Sequence, residues 1–179
     1  ENRFNDVIAD PAGRVFCGTM AKAGDETANR GGTLYRLDTD GTITAVADGV
    51  GISNGMGFTP DRKQMFFTDT LNWGIDVFDY DERTGAISNR REFARSDEAA
   101  GAPDGMTVDA EGNVWSARWG GSGVFKYSPT GQEIGKVELP TEAVSSVTFG
   151  GADYSDMYVT TANGHEKAEH GPQAGALFR

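Results

Sequence analysis

Cysteine is almost missing: Cys17 stands alone in 179 residues, so no intrachain disulfide can form and packing must hold the fold. A chain built without disulfides suits a reducing compartment, and a cytoplasmic location is the expectation. Cys17 itself sits in an apolar strand pattern, which reads as a packed thiol rather than a nucleophile. No apolar run approaches the ~18 residues of a membrane helix, so no membrane partner is expected. No Asn-X-Ser/Thr glycosylation sequence occurs. No signal-peptide pattern is recognisable, and a chain that opens at Glu1 inside a repeat leaves that point open. Clustered positive charge is absent as well. With 16 Lys and Arg against 27 Asp and Glu, the net charge is −11, which argues against a nucleic-acid surface. The acidic excess fits a solvated face, or sites for cations. No stretch sustains a 3.6-residue period, so helix content is expected to be small. There is no G-x-S-x-G nucleophile turn and no P-loop. Gly120-Gly121-Ser122-Gly123 reads as a turn, because no helix follows to complete a phosphate cradle.

What is present in excess is glycine, 25 residues, about double the usual ~7%. No Gly-X-Y period accompanies it and the apolar runs are short, so the glycines mark tight turns. A strand–turn–strand phrase recurs four times. It reads NDVIADPAGRVFCGTM from Asn5, NGMGFTPDRKQMFFTDT from Asn54, DGMTVDAEGNVWSARW from Asp104 and SSVTFGGADYSDMYVTTA from Ser145. After each of the first three comes a further strand pair, turned at Asp40-Gly41, Thr84-Gly85 and Thr130-Gly131. Four antiparallel strands every ~40–50 residues predict the blades of an all-β propeller. A two-sheet sandwich also has many short strands, but it gives no reason for one phrase to recur in register. The chain holds about three to four blades, the last stopping at Ala176-Leu177-Phe178-Arg179. An open arc leaves unpaired edges, so residues 1–179 are expected to be a partial propeller domain. It lacks the first blade or blades and the C-terminal closing strands, and is expected to fold poorly alone.

The first strand of each propeller blade lines the central channel. The phrase openings, Asn5-Asp6, Asn54-Gly55, Asp104-Gly105 and Ser145-Ser146, should therefore converge on one axis. Amide and carboxylate oxygens at equivalent positions suit a hard cation. No Cys or His shares them, which disfavours a zinc site built on thiolate or imidazole. Spacing alone leaves two readings open, a cation seat or mere Asn-Gly and Asp-Gly turns.

The segments RFNDVIADPAGRVFCGTM (3–20), ISNGMGFTPD (52–61), FDYDERTGAISNRR (78–91), PDGMTVDAEGNVW (103–115) and SSVTFGGADYSDMYVTTA (145–162) run in order along the chain. Together they resemble the gluconolactonase family, to which regucalcin belongs. The resemblance implies a six-bladed propeller and metal-dependent opening of sugar lactones, a small-molecule partner. It makes Asn54 of the SNG motif a metal ligand, and Asp104 of the PDG motif both metal ligand and general base. Arg3 and Asn5 of the RxND motif become substrate contacts. The implied ion is divalent, Ca²⁺ foremost, with Zn²⁺, Mn²⁺ or Mg²⁺ as alternatives. A further Glu ligand would come from a first blade that is absent here. Some members also carry a substrate-binding Glu three residues past the GTM motif. This chain has Ala23 there, with Glu26 nearby as a substitute. The departure keeps two alternatives in view: a non-catalytic Ca²⁺-binding propeller, and another hydrolase, phosphotriesterase-like, on the same scaffold.

Three further signals are set aside. Asp38-Thr39-Asp40-Gly41 hints at an EF-hand loop, but the first ligand position would be Arg36 and the closing Glu would be Ala47. A hairpin turn is the expectation. His165 and His170 are spaced wrongly for one helical face and read as solvated loop residues. Trp73 and Trp119 follow second strands; packing between blades is the default for both, with a pocket wall as the alternative for Trp119.

Overall fold

The computed structural model describes residues 1–22 and 31–179. Three four-stranded antiparallel sheets and one three-stranded sheet follow one another along the chain. The first contains β1 (Asn2–Ala9), β2 (Val15–Ala21), β3 (Gly32–Leu37) and β4 (Ile43–Val50). The second contains β5 (Ser53–Phe58), β6 (Gln64–Asp69), β7 (Gly74–Asp81) and β8 (Ala86–Arg95). The third contains β9 (Ala102–Val108), β10 (Val114–Trp119), β11 (Gly123–Tyr127) and β12 (Glu133–Glu138). The fourth contains β13 (Val144–Gly150), β14 (Asp156–Thr161) and β15 (Leu177–Phe178). Strands lie in chain order within every sheet, and the first strands β1, β5, β9 and β13 pack side by side. These are the blades of a β-propeller arranged around an axis, as the repeat predicts, and not two stacked sheets.

Local chemistry explains the blades. The β1–β2 turn is closed by Asp10, whose carboxylate accepts the N–H groups of Ala12 (2.9 Å) and Arg14 (2.8 Å). Asp109 repeats the device with Glu111 (3.0 Å) and Asn113 (2.8 Å). Thr59 does the same work with a hydroxyl, accepting Gln64 N–H at 3.1 Å. Short polar side chains that bond the backbone two to five residues on favour turns over continued strand. The suspected EF-hand segment is the β3–β4 turn, with Gly41 at φ 89° and its N–H donated to Asp38 O at 2.9 Å.

The core lies between blades. Phe16 and Leu34 of the first sheet meet Met65 and Phe67 of the second, all with 0% exposure. Burying each such side chain stabilises the fold by about 1.5–3 kcal/mol. Two further clusters fill the next two gaps, around Phe66, Ile75 and Phe125, and around Val124, Val144 and Val159. A buried polar link ties the first two blades. The Asp10 carboxylate accepts Arg14 Nε–H and the Tyr80 hydroxyl, both at 2.7 Å, and Arg14 also donates to the carbonyls of Glu82 and Arg83. The outermost strand β12 is exposed along its whole length, and its charged residues discourage sheet-to-sheet pairing.

Helix is scarce, as expected. The described residues contain α1 (Lys167–His170) and two one-turn 3-10 segments, Thr70–Asn72 and Glu98–Ala100. The four-residue α1, where a solvated loop is expected, is too short to imprint a period on the sequence. His165 is exposed and His170 ends α1, both beside Glu166. Among the described residues no helix is long and apolar enough to cross a membrane.

Candidate functional site

Each blade departs from regular pairing at the phrase opening. In β1, Asn5 and Asp6 lie between Phe4, opposite Thr19, and Val7, opposite Cys17. In β5, Asn54 and Gly55 lie between Ser53, opposite Asp69, and Met56, opposite Phe67. In β9, Asp104 and Gly105 lie between Pro103, opposite Arg118, and Met106, opposite Ser116. In β13 the register slips at Ser145. These are β-bulges, one extra residue on the inner strand, and a bulge re-aims the side chain it carries. Two glycines then let neighbouring inner strands close in. A Cβ on Gly55 would lie 2.4 Å from Met106 N, and one on Gly105 would lie 2.5 Å from Ser146 Oγ.

The result is a cavity of about 360 Å³ at one end of the axis, lined by Arg3, Asn5, Asn54 and Asp104 together with Thr70 and Trp119. All four residues singled out from the sequence therefore face one space. Arg3 Nη1 donates to Asn5 Oδ1 at 2.9 Å. Asn5 Nδ2 donates to Ser53 O at 2.8 Å and lies 3.3 Å from Asn54 Oδ1. Asn54 Nδ2 donates to Thr70 Oγ1 at 2.9 Å, and the Thr70 hydroxyl donates to Pro103 O at 2.7 Å. A hydrogen-bond chain thus crosses three blades and ends beside Asp104. The chain just before Thr70 is anchored by Asp69, 1% exposed, whose carboxylate accepts the N–H groups of Gly51 and Ile52 at 3.1 Å.

Asp104 is half-buried. Burial, and after it the negative charge of Asp6, push its carboxyl up to about 7, against a lowering bond from Gly105 N–H. Asp6 is raised too, chiefly by burial, although it accepts Val7 N–H at 2.7 Å. Two crowded carboxylates with few donors are a place where a cation is favoured. Among the described residues no three His, Cys, Asp or Glu side chains gather as a metal site, so a cation here needs amide oxygen as well. Asn54 offers it, because its NH₂ end is committed to Thr70 and its Oδ1 stays on the other side. The donor set is all oxygen, which fits a hard divalent ion.

Sequence reasoning overlooks Thr70, which lies outside the repeated opening pair, and it gives Asp6 no separate role despite its place beside Asn5. For Trp119 the structure overturns the default of packing between blades. The indole is 44% exposed and walls the cavity, because it ends β10 where the strand pairs with Ala102 at the rim. Cys17 is half-buried, and burial raises its thiol, which disfavours the reactive thiolate. Ala23 and Glu26 lie outside the described residues.

A family model described as "SMP-30/Gluconolactonase/LRE-like region" matches residues 1–163. The chain is 55% identical to pentonolactonase XacC of Haloferax volcanii, over 99% of this chain and 62% of that protein. It is 43% identical to regucalcin of Gallus gallus, again over 99% of this chain and 62% of the relative. A solved structure of a calcium-binding protein, regucalcin, from Agrobacterium tumefaciens superposes with a TM-score of 0.89 at 31% identity, covering 99% of this chain and 60% of that one. The chain spans about 62% of the length of the curated relatives it matches.

Proposed function

Because this chain belongs to the SMP-30/gluconolactonase/LRE-like family, we propose that the intact protein hydrolyses sugar lactones at the cavity between the first three blades. The observation that carries this reading is the convergence of Arg3, Asn5, Asn54 and Asp104 on one space. In it, Asn54 and Asp104 would hold a divalent cation, Ca²⁺ foremost, with a further ligand from outside residues 1–179. These residues are then one part of a larger propeller domain. When bound, the ion supplies Lewis-acid polarisation of the lactone carbonyl. Arg3 and Asn5 orient the sugar through its oxygen atoms, and the Trp119 face excludes water from one side of the ring. Asp104 takes a proton from the attacking water as its oxygen adds to the carbonyl carbon. The ring C–O bond then breaks, the departing oxygen takes up the proton, and the product is an open-chain hydroxy acid.

Five-carbon aldonolactones lead the substrate panel, since a relative at 55% identity is named a pentonolactonase. Asp104→Asn keeps the shape but removes the proton acceptor, and lactone hydrolysis is expected to drop at least ~100-fold. Retained activity in that variant ends the mechanism. A second reading draws on the regucalcin described as a calcium-binding protein: a Ca²⁺-binding propeller without turnover. It requires Ca²⁺-dependent melting with no hydrolysis across the same panel.

A further inference from the structure

We propose that Thr70 is the positioning residue that decides which end of the Asn54 amide faces the cavity. The proposal rests on the cation reading above. A threonine hydroxyl has a single proton, and Thr70 Oγ1 has two close neighbours, Pro103 O at 2.7 Å and Asn54 Nδ2 at 2.9 Å. A carbonyl oxygen cannot donate, so the proton goes to Pro103 and a lone pair is left facing Asn54. Only the NH₂ end of an amide can meet a lone pair. Asn54 Oδ1 is therefore turned the other way, toward Asn5 and the cavity.

The reverse amide has no good partner at either end. Its oxygen would meet the Thr70 lone pair, acceptor against acceptor. Its NH₂ would meet the Asn5 NH₂, which is itself aligned because Asn5 Oδ1 accepts from Arg3 at 2.9 Å and Asn5 Nδ2 donates to Ser53 O at 2.8 Å. A cation beside an NH₂ group would face hydrogens instead of a lone pair. The Thr70 backbone is anchored where it opens the 3-10 turn Thr70–Asn72, its N–H donated to Ile52 O at 3.1 Å, and the bond to Pro103 O holds its hydroxyl in place. The same hydroxyl, by gripping Pro103 O, ties the β6 end to the residue before Asp104.

The test measures Ca²⁺ affinity by calorimetry, and the Ca²⁺-dependent rise in melting temperature, on the intact protein. Thr70→Val keeps the shape and removes the hydroxyl, and affinity is expected to fall about 10–100-fold, the usual effect of losing a partner of a metal ligand. Thr70→Ser restores affinity to within about threefold. In an Asn54→Asp background, both ends of the side chain are oxygen, so adding Thr70→Val is expected to change affinity less than about threefold. Should Thr70→Val lose its metal-free melting transition, Thr70→Ala removes the same hydroxyl and carries the same expectation. Wild-type affinity in Thr70→Val, or an equal loss in the Asn54→Asp background, overturns the assignment while the cation reading stands. A wild-type protein that binds neither Ca²⁺ nor Mn²⁺ overturns the cation reading and Thr70 with it.

Discussion

At the scale of single residues, Asp104 carries the sharpest consequence. A carboxyl held at about 7 in the folded chain, against ~3.9 when free, disfavours its ionised form by on the order of 4 kcal/mol. The folded state therefore binds this proton more tightly than the unfolded state does. The group's contribution is fully present below pH ~4, declines as pH rises, and is gone above about 7. Metal-free wild type is expected to lose melting temperature across that window, and Asp104→Asn to lose less. A bound cation reverses the preference, because it favours the carboxylate. Calorimetric titrations should show affinity rising about tenfold per pH unit below 7 and levelling above it, with a proton released on binding. Affinity that stays flat from pH 5 to 8 means Asp104 is not a ligand. The cavity position of Asp104 was legible from its motif; Thr70, the partner of Asn54 and Pro103, was not. Thr70 matters through two hydrogen bonds to residues 16 and 33 positions away, and nothing in local composition marks such a link.

At the scale of elements, the inner strands bring the proposed ligands together. The strands and turns were legible because polar caps such as Asp10 and Asp109 and the Gly-marked hairpins repeat in register. The bulges were not, since an extra residue between Phe4 and Val7 or between Ser53 and Met56 leaves no compositional trace. The rim position of Trp119 likewise follows from where β10 ends, which sequence locates only to within a few residues. Gly55 tests the arrangement. A methyl there meets Met106 N, Asp104 O and Gly105 C at 2.4–2.7 Å, all backbone, so β5 and β9 must separate. Gly55→Ala is expected to destabilise by about 1–3 kcal/mol. Hydrolysis should fall further, by ~100-fold, since displacing catalytic groups by about 1 Å costs that much. Denaturant melts and steady-state kinetics on the same preparation separate the two effects. Unchanged kinetics would show that the close approach of β5 and β9 does not set the site.

At the scale of the molecule, the four blades leave apolar side chains on their flanks. Phe4 is 62% exposed, Val7 57% and Leu177 65%. In the larger propeller proposed here, neighbouring blades cover them. Residues 1–179 prepared alone are expected to bind a hydrophobic dye and to melt below the intact protein. A cooperative transition at the same temperature would show that these blades need no neighbours. Within the described fold, every blade bulges at the same step of its inner strand, and this has a reach beyond the present chemistry. Three of these bulges are sockets, occupied by Asn5, Asn54 and Asp104, that open on one cavity, while the ladders around them form the blades. Exchanging the occupant of one socket would then change what the cavity can hold, and a lineage or a designer could do so without rebuilding the scaffold.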